Sequence, residues 1–406
     1  MILSDLRFAL RSFRRSPLFA VVAVGSLALG IGANTAIFTL LDQLLLRLLP
    51  VQDPRQLVMI WTPGPHMGNN RGSFANSYPM YQDFQQKAEA FSSVFCRYYT
   101  PASISFAGQT ERVTVELVSG NYFQALGVRP ALGRVFSPEE DDRFYQGHPA
   151  VVLSHDYWVN RFGGDPKVVG SGIQVNDYPM TIVGVSAPGF TGLDPSRSPN
   201  LRIPIQMKPR LTPGWDDLGN RRSRWVQMFA RLKPGFDASS AQTSLQPLFK
   251  QILDYETTLP AFRHINEYGR KQFLARQVRV VPAANGYSDL RRNSETALIV
   301  LMCMVGLVLL ITCANVANLL IARAVARQRE IAVRLAIGAS RAQIVRQLLL
   351  ESVLLSTAGA SLGVLLSIWT LRALIRVLPV EGMPLMLRAE PDLRILAFNL
   401  ALAVST

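Results

Sequence analysis

Three apolar runs, each long enough to cross about 30 Å of hydrocarbon at roughly 20 residues, divide this chain before any other feature does. They cover 18–41 (LFAVVAVGSLALGIGANTAIFTLL), 297–321 (ALIVLMCMVGLVLLITCANVANLLI) and 353–371 (VLLSTAGASLGVLLSIWTL). A fourth begins at Ile395 and stops at Thr406. Half a span cannot cross a bilayer, so the sequence is expected to be a fragment whose continuation is missing. The chain is 49% hydrophobic and carries a formal charge of +14. Large soluble enzymes rarely combine the two, whereas membrane proteins with basic loops do. Nucleic-acid binding is the other source of such basicity, and the positions of the arginines separate the two.

Arg7, Arg11, Arg14 and Arg15 precede the first run, and Arg323, Arg327, Arg329, Arg334, Arg341 and Arg346 follow the second against Glu330 alone. The positive-inside rule makes both segments cytoplasmic. Everything between the first two spans is then outside. The first run is too long for a signal-peptide core and no small-residue cleavage site follows, so it reads as an uncleaved anchor. The resulting plan is a cytoplasmic amphipathic helix (1–17), span one with a stalk (18–46), an extracytoplasmic domain (47–295), span two (296–322), a cytoplasmic elbow (323–347), span three (348–378), an outer loop (379–394) and the start of span four (395–406). Cys96 has no cysteine partner in the outer segment, so no intrachain disulfide is available there.

A segment as long as 47–295 needs its own core. Period-two alternation in 112–118 and 224–232 predicts strands, with Val113, Val115 and Leu117 on one face. Two more strands are predicted in 173–185, joined at Asn176-Asp177, residues that tolerate positive φ. Helices are predicted over 78–91, 155–162 and 238–253, the last opened by Asp237. The fold class is therefore an α-helical membrane protein with a large α+β extracytoplasmic domain inserted between helices one and two.

His148, His155 and Asp156 match no compact ligand spacing, so no metal site is expected. GGDPKVVGSG (163–172) precedes a strand rather than a helix and reads as a turn, not a phosphate cradle. No nucleophile-elbow, zincin or P-loop pattern occurs, so no catalytic residue is assigned and the chain is not expected to be an enzyme.

Within the spans, Gly25, Gly30 and Gly32 are candidate helix-packing positions. Ser26/Gly30 and Ala28/Gly32 form small-xxx-small pairs that let backbones approach. Asn315 and Asn318 are expected to bond across to another helix. No ionisable residue lies at the centre of a complete span, which argues against an ion-coupled transporter. Between spans two and three, RQREIAVRLAIGASRAQIVRQ (327–347) predicts helix two running on into the cytoplasm. Glu330 precedes Arg334 by four residues, the favoured ion-pair order. Gly338 is the stop, and Ser340 with Gln343 is a capping box for the next helix. Arginines that only set topology explain the charge but not the paired helices. Tethering at both ends argues against docking in a DNA groove. A short helical elbow suits docking of a partner protein.

QREIAVRLAIGASRAQIVRQLLLES resembles the segment between spans two and three of MacB/FtsX/LolC-type ABC transporter permeases. Residues 118–140 (VSGNYFQALGVRPALGRVFSPEE) and 151–190 resemble the MacB-type periplasmic core domain. The opening LRFALRSFRRSPLFAVVAVGSLALGIGANTAIFTLLDQLLLR resembles the duplicated orphan permeases of that superfamily. The resemblance covers essentially the whole chain. It implies a four-span unit whose outer domain has a porter-like and a sabre-like lobe. It implies a bacterial inner-membrane location and a separate cytoplasmic ABC ATPase, so that ATP enters through the partner and this chain binds no cofactor. Arg329, Glu330, Arg334, Gly338, Ala339 and Ser340 occupy the family's cytoplasmic pattern and are the implied ATPase-coupling residues. Expected partners are that ATPase, a second permease unit (a homodimer or a duplicated half), a periplasmic adaptor and the membrane, with no nucleic acid. The implied function is the permease subunit of an efflux or mechanotransmission complex. The alternative is a membrane-anchored, FtsX-like regulator of an envelope enzyme without translocation. A membrane-bound hydrolase is a third class, which the missing motifs disfavour.

Overall fold

The computed structural model describes residues 16–143, 149–337, 340–377 and 393–405. Most of the expected amphipathic helix (1–17) and outer loop (379–394) lies outside them. The chain divides into two units, Met1–Arg47 with Leu290–Thr406, and Leu48–Asp289.

The first described helix, α1 (Pro17–Leu41), opens with a proline at its first turn, where the missing N–H costs nothing. It runs into a π-helical turn, Asp42–Leu46, closed by Arg47 N donating to Asp42 O at 2.7 Å. Arg47 is extended, so the helical run ends at Leu46.

The second unit contains strands β1 (Leu57–Trp61), β2 (Asn69–Asn70), β3 (Ala75–Asn76), β4 (Phe91–Phe106), β5 (Gln109–Val118), β6 (Pro130–Gly133), β7 (Ala150–Leu153), β8 (Gly172–Val175), β9 (Tyr178–Ser186), β10 (Leu201–Pro204), β11 (Ser223–Arg224), β12 (Val226–Leu232) and β13 (Arg279–Pro282). Eleven of them form one mixed sheet in the order β13-β1-β12-β4-β5-β10-β7-β9-β6, with β3 beside β12 and β8 beside β4 and β9. Its α-helices of five or more described residues are α2 (Tyr78–Lys87), α3 (Tyr122–Leu126), α4 (His155–Phe162), α5 (Ala238–Thr258) and α6 (Glu267–Leu274). Asn176 and Asp177 both take positive φ (47° and 62°), so the β8–β9 hairpin turns where the sequence places it. Asp237 accepts from Ser240 N at 2.7 Å, and Ser240 Oγ accepts from Asp237 N at 2.9 Å, closing a reciprocal cap on α5.

Tyr81 and Phe84 of α2 and Leu245, Phe249 and Leu253 of α5 belong to the larger core. Phe95, Phe229, Tyr122, Phe123 and Phe190 belong to a second one. A buried aromatic of this kind contributes about 1.5–3 kcal/mol through area removed from water. Strand β5 sits between β4 and β10, and residues 113–118 are buried without alternation. The alternation seen in its sequence therefore does not mark a solvent face, because both sides of a central strand are covered.

Lys208 is a fully buried cation of this unit. Its Nζ lies 3.5 Å from the Trp215 ring centre and 4.8 Å from that of Trp225, and it donates to Trp215 O at 2.6 Å and Thr212 Oγ1 at 2.8 Å. Burial lowers the ammonium from the ordinary lysine value to about 8, against the opposing pull of Asp217 and Asp216.

The chain then forms α7 (Asp289–Ala326), α8 (Gln328–Ala336), α9 (Arg341–Val377) and α10 (Leu393–Ser405). Among the described residues, three stretches are long and apolar enough to cross a membrane: Pro17–Leu46, Glu295–Ala326 and Ala342–Ala373. The expected continuous helix from span two into the cytoplasm is broken. It stops at Ala326, and Arg327 N is shared between the carbonyls of Arg323 and Ala324 before α8 begins.

Candidate functional site

Two constructions stand out, one in each unit. The first is the set of contacts that make α1 the hub of the helical unit. A side chain at Gly32 would meet Gly363 O of α9 at 2.9 Å, and one at Gly30 would meet Thr312 Oγ1 of α7 at 2.9 Å. Gly359 and Gly363 of α9 approach Leu27 and Ala28 in the same way. Gly25 differs from expectation: a Cβ there would meet nothing within 4 Å among the described residues. It lies on a face of α1 that no described helix covers.

Polar groups reinforce the hub. Asn34 Nδ2 donates to Val305 O of α7 at 2.8 Å, and Thr35 Oγ1 donates to Asn399 Oδ1 of α10 at 2.6 Å. Phe38 stacks on Phe398 with ring centres 4.0 Å apart. Asp42, buried in the π turn, lies 3.5 Å from Arg394 of α10 and 3.8 Å from Arg47. The expected interhelical amides, Asn315 and Asn318, are instead exposed. Asn34 and Asn399 fill that role.

At the elbow, Ser340 Oγ accepts from Gln343 N at 3.3 Å and Gln343 Oε1 accepts from Ser340 N at 3.0 Å. This reciprocal cap starts α9, which then runs unbroken for 37 residues. Arg327 reaches Glu351 Oε1 of α9 at 3.4 Å, and Arg323 donates to Ser16 Oγ at 2.9 Å while covering the Phe19 ring at 4.4 Å. Arg329 is exposed on α8. Glu330 and Arg334 lie on α8, but their side chains, with Gly338 and Ala339, are outside the described residues. The sequence reading missed this tie, whose one visible signal is an acid, Glu351, within the apolar LLLESVLL.

The second construction is a charge network inside the second unit. Glu116 of β5 is fully buried between Arg97 of β4 at 3.3 Å and Arg202 of β10 at 2.9 Å. Tyr122 donates to the same carboxylate at 3.3 Å, and Arg97 also donates to Tyr99 Oη. Arg202 rests over the Phe190 ring at 4.5 Å. Arg97 then donates to the Tyr287 carbonyl at 3.1 Å. Nearby, Tyr287 N donates to Leu193 O at 2.9 Å, and Ser196 Oγ and Ser288 Oγ are 2.8 Å apart. Asp194 accepts from Ser196 N and Oγ at 2.9 and 2.6 Å, and burial raises its carboxyl above the usual range against the pull of Arg97. Gly286 has φ +74°, and a Cβ there would sit 2.3 Å from Leu193 O, so only glycine fits. The network therefore grips the segment immediately before α7. It encloses two arginines around one carboxylate, all three fully buried.

Residues 20–248, more than half the chain, match the family model of the MacB-like periplasmic core domain. Residues 302–406 match that of the FtsX-like permease C-terminal region. The chain is a MacB/FtsX-type ABC transporter permease. The permease is 26% identical over 254 residues to the macrolide export ATP-binding/permease protein MacB of Burkholderia cenocepacia (strain HI2424), a match covering 62% of this chain and 33% of that protein. The protein of the same name in Escherichia coli (strain K12) is 26% identical over 252 residues, covering 62% and 34%. The matched part of the permease thus spans about a third of these relatives' length. The periplasmic region of MacB from Actinobacillus actinomycetemcomitans aligns with a TM-score of 0.38 at 17% identity, covering 50% of this chain and 87% of that one. A domain of a permease protein from Porphyromonas gingivalis aligns at 0.40 and 16%, covering 57% and 91%. The two family matches and the long apolar helices make the permease a membrane protein with an extracytoplasmic domain.

Proposed function

We propose that the permease couples a separate cytoplasmic ABC ATPase to movement of its extracytoplasmic domain, in an efflux or mechanotransmission complex of the bacterial inner membrane. The observation that carries this reading is the single helix α9. It is capped at the elbow by Ser340 and Gln343, and its glycines seat on α1 in the same unit. At 1.5 Å per residue, its 37 residues form a rod of about 55 Å. A push at its capped end is delivered where Gly363 meets Gly32. In this reading 323–347 is the cytoplasmic docking elbow, 47–295 is outside with porter-like and sabre-like lobes, and ATP is bound by the partner. A second permease unit completes the membrane assembly, and a periplasmic adaptor receives the movement. Nucleic acid has no part in it.

The test is capture of the ATPase with the permease from membranes, followed by ATPase assays on the co-purified complex. Ser340→Ala removes the cap and loosens the start of α9 by about 1 kcal/mol. Stimulation of the ATPase should fall while membrane levels of the permease stay normal. Unaltered stimulation would reduce the elbow to a topology signal. Stimulation without substrate movement in vesicles would favour the envelope regulator over the exporter.

A further inference from the structure

A cleft of about 460 Å³ opens on the outer unit between the loop before β1, the start of β4 and helix α3. That volume lies within the usual range of small-molecule sites, about 300–1,000 Å³. Its walls are unusual in chemistry. Gln52, Gln56, Gln85 and Gln124 contribute four side-chain amides, and Ser92 and Ser93 contribute hydroxyls. Asp53 and Arg231 are the charged residues of the lining, and no aromatic side chain lines it.

Arg231 is already committed. It donates to Gln52 O at 2.6 Å, Ala125 O at 2.9 Å, Asp53 O at 3.2 Å and Gln56 Oε1 at 3.4 Å. Asn121 is committed as well, to Val94 O at 2.8 Å and Ser93 Oγ at 3.2 Å. The guanidinium therefore holds the rim in shape rather than offering itself to an anion. Asp53 takes a left-handed conformation (φ 40°, ψ 61°), which turns its carbonyl to that guanidinium. A rim fixed before binding spares the ligand the cost of ordering it.

What remains to face a ligand is the side-chain amides of Gln52, Gln85 and Gln124, each able to donate and accept, with the Asp53 carboxylate beside them. An anion finds no uncommitted cation, and a flat apolar molecule finds no ring to stack on. A ligand rich in hydroxyls at hydrogen-bond spacing matches both halves of these three amides and can donate to the carboxylate. We propose that this cleft is a binding site for a neutral saccharide of one or two sugar units.

The test uses the full chain in lipid nanodiscs prepared without glycosidic detergent, whose headgroup would compete. N,N′-diacetylchitobiose, cellobiose, glucose 6-phosphate and tetraalanine are titrated by saturation-transfer NMR. We expect saturable binding of at least one neutral disaccharide below about 10 mM. Gln85 and Gln124 are exposed on helices, so Gln85→Ala with Gln124→Ala leaves the fold standing and should weaken that binding about tenfold or more. Gln109→Ala, at the exposed β4–β5 tip, should leave it unchanged. Absence of saturable disaccharide binding overturns the assignment. So does preference for the phosphate or the peptide, or disaccharide binding that survives the double variant in protein of unchanged melting temperature.

Discussion

Glu116 sits between two arginines in a sheet buried on both faces, so its carboxylate cannot be removed without consequence. Glu116→Gln leaves Arg97 and Arg202 buried without their counter-charge, a loss of about 3–5 kcal/mol. Urea unfolding followed by tryptophan fluorescence should show it. Replacing all three with apolar residues of similar volume should restore much of that stability, because the network costs desolvation as well as providing attraction. Lys208 gives a pH-dependent counterpart. Its native value of about 8 lies below the ordinary 10.5, so between these limits the unfolded chain holds more protons than the folded one. Stability therefore rises with pH across that window. The urea midpoint at pH 9.5 should exceed that at pH 7.5 in the wild type relative to Lys208→Met, and a wild-type midpoint that falls by comparison would contradict the assignment. Neither residue announced itself in the sequence. Glu116 falls on what reads as the solvent face of an alternating strand, and only the covering of both faces reveals that it is enclosed. Lys208 becomes a core residue because Trp215 and Trp225 converge on it from further along the chain.

Helix α1 shows which elements were legible. Small residues at helical spacing mark a packing face, and Gly30 and Gly32 meet Thr312 and Gly363. Spacing alone cannot say how wide that face is, and Gly25 lies outside it. Gly32→Leu should therefore force α1 and α9 apart, lowering the melting temperature of the purified permease, while Gly25→Leu should leave it within error of the wild type. Equal effects of the two would refute this division of the helix. The cap at Ser340 was legible for the same kind of reason, since Ser340 and Gln343 form a local pattern with a local consequence. The break at Arg327 was not. It accompanies a tie to Glu351, 24 residues away in sequence on another helix, and pattern reading within one helix has no access to that partner. The hub asparagines illustrate the limit again. Asn315 and Asn318 advertise a polar face, yet it is Asn34 and Asn399 that bridge helices.

At the scale of the whole chain, the arginine distribution predicts a sidedness that can be tested directly. A cysteine placed at the exposed Ser239 should label with an impermeant thiol reagent in intact cells, and one at the exposed Ser340 should label only after lysis. Reversed labelling would invert the topology. The background is favourable, because Cys96 is buried in the outer unit. The broad plan of apolar helices around a long α+β insertion was legible, because both rest on periodicity and run length. The sheet order was not, since parallel pairs such as β10 with β5 join segments far apart in the chain. One small contact bears on how such a chain could have arisen. Leu49 N donates to Ala284 O at 2.9 Å, so the polypeptide enters and leaves the outer unit through the same doorway. A domain whose two ends already touch adds almost no loop-closure cost to its host. It is a cassette: a lineage could exchange, enlarge or trim it while the helices before and after keep their own sequence and partners.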